Sequence, residues 1–231
     1  MNDFFNSVLQ LSEVWALLIP LAIIVIYRPK EAGMRPIVVY VFIAFILNLA
    51  ATFISYFHKQ LPVYLQNNNL LYNLHSLARV ILFSWYILHL KLIRSGWLSK
   101  FVLPIFLIFL LINFIFFETP LVLSTPLFSA ESIILLILCL YFFMRSMQDE
   151  SEINWLKHPS FLICTGICMY EALSFFIFLF FHPLFERNPE FGLLTMKIFS
   201  VSYIILCILL ALAIRRSYKQ QSVSGKSNAQ K

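Results

Sequence analysis

Two polar residues interrupt the apolar segment YNLHSLARVILFSWY, which covers residues 72–86. His75 and Arg79 stand one helical turn apart, so a helix would carry both side chains on one face. A guanidinium group keeps its charge in any protein, and an imidazole can carry a proton or bind a metal. Neither group is tolerated against hydrocarbon. The segment therefore indicates a polar site, suited to ion pairing or ligand binding, inside an otherwise apolar protein.

Three further charged residues lie within apolar segments: Glu131, Glu171 and Lys197. With Arg79 they make two cations and two anions, so their formal charges balance. One unpaired charge at the centre of a membrane costs about 2.5–3.5 kcal/mol on insertion scales. The four side chains are therefore expected to pair or to line a wet cavity. The sequence predicts that Arg79 pairs with one of the two acids and Lys197 with the other, and it leaves the choice of acid open.

Polar side chains accompany these charges at helical spacing. At about 1.5 Å per residue, the charged residues lie roughly 9–17 Å below the outer surface of the membrane. The predicted ligand-binding or ion-pair layer comprises Asn48, His75, Arg79, Glu131, Glu171 and Lys197. The supporting polar residues are Thr52, Tyr72, Ser174 and Ser200. The same residues also fit a purely structural role, because buried ion pairs can fix the register of a helix bundle.

The composition places this layer in a membrane protein. Of the 231 residues, 61% are hydrophobic, 12% are charged and 25 are Phe. A soluble domain has about 25% charged residues, so this chain has too little polar surface to face water. The net charge of +6 is then interpreted as a determinant of membrane topology, and no nucleic-acid partner is expected.

Seven apolar segments reach the roughly 20 residues that a membrane-spanning helix needs. They cover residues 11–27, 36–57, 70–93, 98–117, 121–145, 160–182 and 191–214. The predicted fold is all-α, a bundle of seven transmembrane helices over residues 11–215. An extracytoplasmic segment, 1–10, precedes the bundle, and a disordered basic cytoplasmic tail, 216–231, follows it.

The distribution of Lys and Arg predicts the orientation of these spans. The loops and tail on one side of the membrane carry thirteen such residues, and the loops on the other side carry two, Lys59 and Arg187. Positive residues are enriched in cytoplasmic loops. The N-terminus is therefore expected outside and the C-terminus in the cytoplasm. We expect a multi-pass protein of a bacterial inner membrane, with the lipid bilayer as a partner.

The motifs of known seven-span enzymes and cofactor proteins are missing. Leu193 stands one turn before Lys197, where a retinal protein would have an acidic counter-ion. The four cysteines fall in apolar segments, and the C-x₃-C pair at Cys164 and Cys168 does not fit zinc or redox spacing. His75 has no second deeply placed His with which to hold a haem. We therefore predict no metal, no cofactor and no catalysis.

Three segments resemble a large group of small, uncharacterised seven-span proteins of Bacteroidota. They are N-x₂-LYNLHSLARVILFSWY, PLFSAESIILLILCLYFF and HPSFLICTGICMYEALSFFIFLF. That group is similar to the membrane input modules of sensor histidine kinases, so the resemblance implies a signalling partner in the membrane or cytoplasm. The group commonly has an acidic residue on span three where this chain has Arg79, so a shared site is not implied.

These observations favour a non-catalytic sensory or small-ligand-binding module with an outward-facing polar pocket. Two alternatives stay open. The same charges fit a proton- or ion-coupled transporter or channel component, although no inverted repeat is visible. They also fit a structural scaffold subunit of the membrane.

Overall fold

The chain folds into α-helices joined by short connections. The computed structural model describes residues 9, 11–29, 32–62, 67–90, 96–148, 158–180 and 189–228. Seven α-helices lie within these ranges. They are α1 (Ser12–Tyr27), α2 (Arg35–Phe57), α3 (Asn69–Leu88), α4 (Gly96–Ile112), α5 (Thr125–Gln148), α6 (Pro159–Leu179) and α7 (Pro189–Asn228). Short 3₁₀ turns at Ala32–Met34 and His58–Gln60 flank α2, and a π-helical turn at Asn113–Phe117 extends α4.

The helices have the length and apolarity of a membrane protein. Four segments are long and apolar enough to cross a membrane: Arg35–Gln60, Thr125–Gln148, Pro159–Leu179 and Glu190–Gln220. Ser12–Tyr27 and Phe101–Phe117 are apolar but shorter. Helix α3 is not among these segments, since its Asn, His, Ser and Arg side chains lower its mean hydropathy. The all-α membrane protein predicted from the sequence is confirmed at this level, and seven spans with a fixed orientation stay a prediction.

Six helices form a closed ring. Each helix packs on the next in the order α1, α2, α3, α5, α6 and α7, and α7 closes the ring against α1. Helix α4 lies outside it and makes smaller contacts with α3 and α5. Many apolar side chains of α4 and its π-helical turn are exposed, up to 77% at Phe117, as expected of a helix that faces lipid. One large apolar core fills the ring and includes residues of all six of its members.

Helix α7 corrects one prediction. We expected a disordered tail from residue 216, but α7 continues without a break to Asn228. Pro189 is the last proline of the chain, so the segment contains no proline to stop the helix. Extending a formed helix by one residue costs much less than starting one. Residues 229–231 and, apart from residue 9, the predicted N-terminal segment 1–10 lie outside the described ranges.

Candidate functional site

Arg79 lies at the centre of the ring and is fully buried, with 2% of its surface exposed. Its Nε donates a hydrogen bond to Oε1 of Glu131, and its Nη2 donates to Oε2 of the same carboxylate at 3.1 Å. The hydroxyl of Ser76, on α3, also donates to Oε2. This two-pronged geometry is the strongest way for a guanidinium to hold a carboxylate, and it joins α3 to α5.

Glu171, on α6, is a second acid close to the same guanidinium. Its Oε1 lies 3.6 Å from Nε of Arg79, and its Oε2 accepts a hydrogen bond of 2.8 Å from Ser132. The ring of Tyr170 stacks under the guanidinium carbon at 4.8 Å. One arginine therefore contacts both acids, whereas the sequence predicted one acid for Arg79 and the other for Lys197.

Lys197 does not join this layer, and the prediction that it pairs with an acid is wrong. Its side chain is exposed, and the ion pairs found among the described residues involve Arg79 instead. Its neighbours on α7, Met196 and Ser200, face the interior. One residue further along a helix turns the side chain by about 100°, which moves Lys197 away from that face. A lysine near a helix end can extend its flexible stem toward the polar membrane surface.

A second group of hydrogen bonds lies beside the ion pairs. Nε2 of His75 and the hydroxyl of Tyr40 are 3.4 Å apart. Asn48 donates to the hydroxyl of Tyr203 at 3.4 Å and to the backbone oxygen of Glu13 at 3.1 Å. These bonds join α1, α2, α3 and α7.

Glu13 is a third acid that the sequence analysis missed. It is the second residue of α1, and its carboxyl group lies close to the hydroxyl of Tyr72. Unlike Glu131 and Glu171, it is partly exposed. Its place near the start of the first apolar segment is typical of an interfacial residue, so the pattern alone did not mark it as part of an interior site.

A cavity of about 250 Å³ connects these two groups. Its lining consists of Glu13, Asn69, Tyr72, His75, Arg79, Leu123, Phe128, Tyr170, Phe178, Met196, Phe199, Ser200 and Tyr203. Glu13, Asn69, Leu123 and Met196 lie at or near the starts of α1, α3, α5 and α7, so the mouth is at that end of the ring. Arg79 lies about 15 Å further along α3 than Asn69 and forms the floor.

Polar bonds from the start of α3 hold one wall of the mouth. Asn73 donates to the backbone oxygens of Pro120 and Val122 at 2.9 and 2.8 Å. Asn69 donates to the oxygen of Leu121 at 3.2 Å. The chain before α5 is thus fixed against α3, which positions Leu123 in the lining.

Arg79 still has one donor to offer at the floor. Nη1 is buried and has no hydrogen-bond partner among the described protein atoms. Oε1 of Glu171, behind the floor, likewise has no hydrogen-bond partner, although it lies near the guanidinium charge. Leaving a buried charged donor without an acceptor costs free energy, and Nη1 is the donor of this cavity-lining residue that bears that cost.

The other predicted residues fall into two classes. Tyr72, His75 and Ser200 line the cavity, as Arg79 does. Ser174 is buried, but its hydroxyl donates to the backbone oxygen of Tyr170 at 2.8 Å within α6. Thr52 is partly buried and lies outside the cavity lining, so it does not support the site in the way that we expected.

The aromatic part of the site was also missed. Tyr40, Tyr170 and Tyr203 are almost fully buried around Arg79, yet in the sequence they are three of ten Tyr in an aromatic-rich chain. Their positions in the sequence could have identified them, because each lies within a few helical turns of a predicted site residue. These residues are Asn48 on α2, Glu171 on α6 and Ser200 on α7.

The chemistry available in the cavity is that of binding. The lining offers a free guanidinium donor, hydroxyl groups, aromatic faces and one carboxylate. In the part of the chain that the structure describes, no three His, Cys, Asp or Glu side chains come together as a metal site would require. No family model, curated protein or solved structure matches the chain. The resemblance to small seven-span proteins therefore stays a prediction.

Proposed function

We propose that this protein is a membrane-embedded, non-catalytic binding module, and that a small ligand enters the cavity from the end where α1, α3, α5 and α7 begin. A volume of about 250 Å³ is slightly below the roughly 300–1,000 Å³ of pockets that hold drug-sized molecules. The ligand is accordingly small. The lining is mainly apolar, which is typical of such sites, in which a few polar groups fix the orientation of the ligand.

The observation that carries this proposal is the unpartnered Nη1 of Arg79 at the floor of a cavity with a mouth. In a purely structural ion-pair cluster, we expect each buried donor to have an acceptor, because a half-satisfied buried network is unfavourable. Here Nε and Nη2 are occupied by Glu131, whereas Nη1 of the same cavity-lining residue is buried and has no hydrogen-bond partner among the described protein atoms. A ligand oxygen would complete the set.

The position of Arg79 also supports a sensory role. It joins α3 to Glu131 of α5 and lies against Glu171 of α6. A ligand oxygen on Nη1 would shift the guanidinium relative to these two acids, so that binding favours one packing of the three helices over another. The cytoplasmic ends of the helices and the basic end of α7 would pass that change to a membrane or cytoplasmic partner.

The thermal stability of the purified protein tests this proposal. A panel of water-soluble amines, amino acids, alcohols, carboxylates and sugars is added to the protein in detergent. A molecule that binds the folded state stabilises it by about 2.7 kcal/mol at a hundred times its Kd. We expect at least one member of the panel to raise Tm in a concentration-dependent way.

Two variants of α7 identify the binding site. Ser200→Trp places a large ring in the cavity, and Val201→Trp places the same ring on an exposed face of the same helix. The rise in Tm should disappear in Ser200→Trp and persist in Val201→Trp. Stabilisation that persists in both variants, or a panel without any effect, would refute the proposal.

A further inference from the structure

The second feature of the cavity is its charge. Glu13 lies near the mouth, and Glu131 and Glu171 lie behind the floor, whereas Arg79 is the single Lys or Arg of the described lining. Three carboxyl groups and one guanidinium thus lie in or beside the cavity, so its acidic groups outnumber its cationic groups. The balanced layer of two cations and two anions predicted from the sequence is therefore replaced by an excess of acid, because Lys197 is exposed and Glu13 is present.

The cavity walls are aromatic. Six rings line it: Tyr72, Phe128, Tyr170, Phe178, Phe199 and Tyr203. They pack on one another, with ring centroids 4.5 Å apart for Phe128 and Phe178 and 5.7 Å apart for Phe178 and Phe199. The faces of aromatic rings attract cations, and cages of such rings are a common means of holding ammonium groups.

The two ends of the cavity differ in what they can bind. At the mouth, the carboxyl group of Glu13 is an acceptor close to the hydroxyl of Tyr72. At the floor, Nη1 of Arg79 is a donor without an acceptor. Tyr72 and Arg79 are seven residues apart on α3, about 10 Å along the helix axis. A ligand that satisfies both ends has a donor at one end and an oxygen at the other.

From these observations we infer that the ligand is a small organic amine with a hydroxyl or carbonyl oxygen at its far end. The ammonium group lies among the rings near Glu13, and the oxygen accepts a hydrogen bond from Nη1 of Arg79. Carboxylate and phosphate ligands are disfavoured, because the charge on Arg79 is already offset by Glu131 and Glu171 and the field at the mouth is negative. This inference rests on the proposed function.

Four probes that share one scaffold test the charge of the ligand. Tyramine is a cation with a distal hydroxyl, 4-propylphenol is its neutral isostere, 3-(4-hydroxyphenyl)propanoate is the matched anion, and phenethylamine lacks the hydroxyl. Their Kd values are measured on the wild-type protein in detergent from the concentration dependence of Tm. We expect tyramine to bind at least about tenfold more tightly than the neutral isostere and the anion. Phenethylamine should bind more weakly than tyramine, because Nη1 then stays unpartnered.

Variants of Glu13 and Glu118 test whether the preference for a cationic ligand depends on the acid at the mouth of the cavity. Glu13→Gln should remove the advantage of tyramine over 4-propylphenol and leave the Kd of 4-propylphenol unchanged. Glu118→Gln is the matched control, since Glu118 precedes α5 at the same end of the molecule but lies outside the cavity lining. It should leave all four Kd values unchanged.

The outcomes separate this inference from the proposed function. If the anion or the neutral probe binds as tightly as tyramine and Ser200→Trp abolishes that binding, the cavity is a binding site and the inference about charge is wrong. If tyramine acts equally on Ser200→Trp, both the inference and the proposed site are wrong. The charge series on the wild-type protein gives a result even where Glu13→Gln does not fold.

Discussion

At the scale of single residues, the permanent positive charge of Arg79 is stabilised by two acidic side chains, one more than its charge requires. Arg79 has two hydrogen bonds to Glu131, a close charge at Glu171 and the face of Tyr170. Hydroxyl groups of Ser76 and Ser132 occupy one oxygen of each acid. Every strong group in the cluster thus has a partner, apart from Nη1 of Arg79 and Oε1 of Glu171.

The coupling between Arg79 and Glu131 can be measured with a double-mutant cycle. Arg79→Met leaves two buried carboxylates without a cation, so we expect a loss of about 3–5 kcal/mol in the free energy of unfolding. Adding Glu131→Leu should recover part of that loss, because one uncompensated acid is then removed. The measurement is reversible unfolding in mixed micelles.

Lys197→Met is the matched control for this cycle, since it also removes a cation within an apolar helix. Lys197 is exposed and has no ion pair with another described residue, so we expect a change below about 0.5 kcal/mol. The cycle with Glu171→Leu should give a smaller coupling energy than that with Glu131→Leu, because no hydrogen bond joins Glu171 to Arg79. Additive losses for Arg79 and Glu131 would contradict the assigned pair.

The sequence predicts the direction of a charged side chain best in the middle of a membrane span, where the side chain cannot face lipid. A guanidinium and two carboxylates in the middle of apolar helices must turn inward, so the pairing of Arg79 with one of the two acids could be expected. Its contact with both acids could not, and neither could the direction of Lys197 or the role of Glu13. Both lie near the ends of their apolar segments, where a side chain can face the interior or extend toward the polar membrane surface. The packing of neighbouring helices then decides between these directions.

At the scale of helices, the site depends on how closely α6 and α7 approach. Gly166 lies on α6 where a side chain would meet α7: a Cβ at this position would be 3.2 Å from Cδ1 of Leu206 and 3.3 Å from Cβ of Leu209. Small residues at such crossings let helix backbones pack closely within a membrane. Tyr170, one turn further along α6, and Tyr203 on α7 then reach each other, with ring centroids 5.6 Å apart.

Gly166→Leu should force α6 and α7 apart. Overpacking of a close contact typically costs 1–3 kcal/mol, and the separation should also weaken ligand binding because it moves Tyr170 relative to Tyr203. Gly166→Ala is the graded comparison: the flexible end of Leu206 can shift by a few tenths of an ångström, so its effect should be smaller. Unfolding free energies and the Kd of the best-binding probe are measured together. Equal stability and affinity for Gly166→Leu and the wild type would show that α6 and α7 are not in close contact there.

Helix positions followed well from the apolar pattern, since each predicted segment overlaps one helix. Helix ends followed less well: α3 ends at Leu88 and α7 continues to Asn228, where hydropathy placed the ends at 93 and 214. Hydropathy reports what suits lipid and carries no information about where a helix stops in water. The ring order could not be predicted either, because it depends on which faces of the six helices fit together.

At the scale of the whole molecule, the ring has two chemically different ends. The mouth lies where α1, α3, α5 and α7 begin. The loops and tail predicted at the opposite end contain most of the Lys and Arg of the chain. If these positive residues hold that end in the cytoplasm, the cavity opens to the outside, and the protein can bind a molecule that never enters the cell.

Labelling of single cysteines in intact cells tests this orientation. Asn67 is exposed at the mouth end, and Gln148 is exposed at the end of α5 on the opposite side. We expect a membrane-impermeant maleimide to label Asn67→Cys in intact cells and to label Gln148→Cys only after the membrane is permeabilised. The wild-type chain is the background control, because three of its four cysteines are buried and the fourth, Cys168, is partly buried. The reverse pattern would place the mouth in the cytoplasm, so that any ligand would have to come from inside the cell.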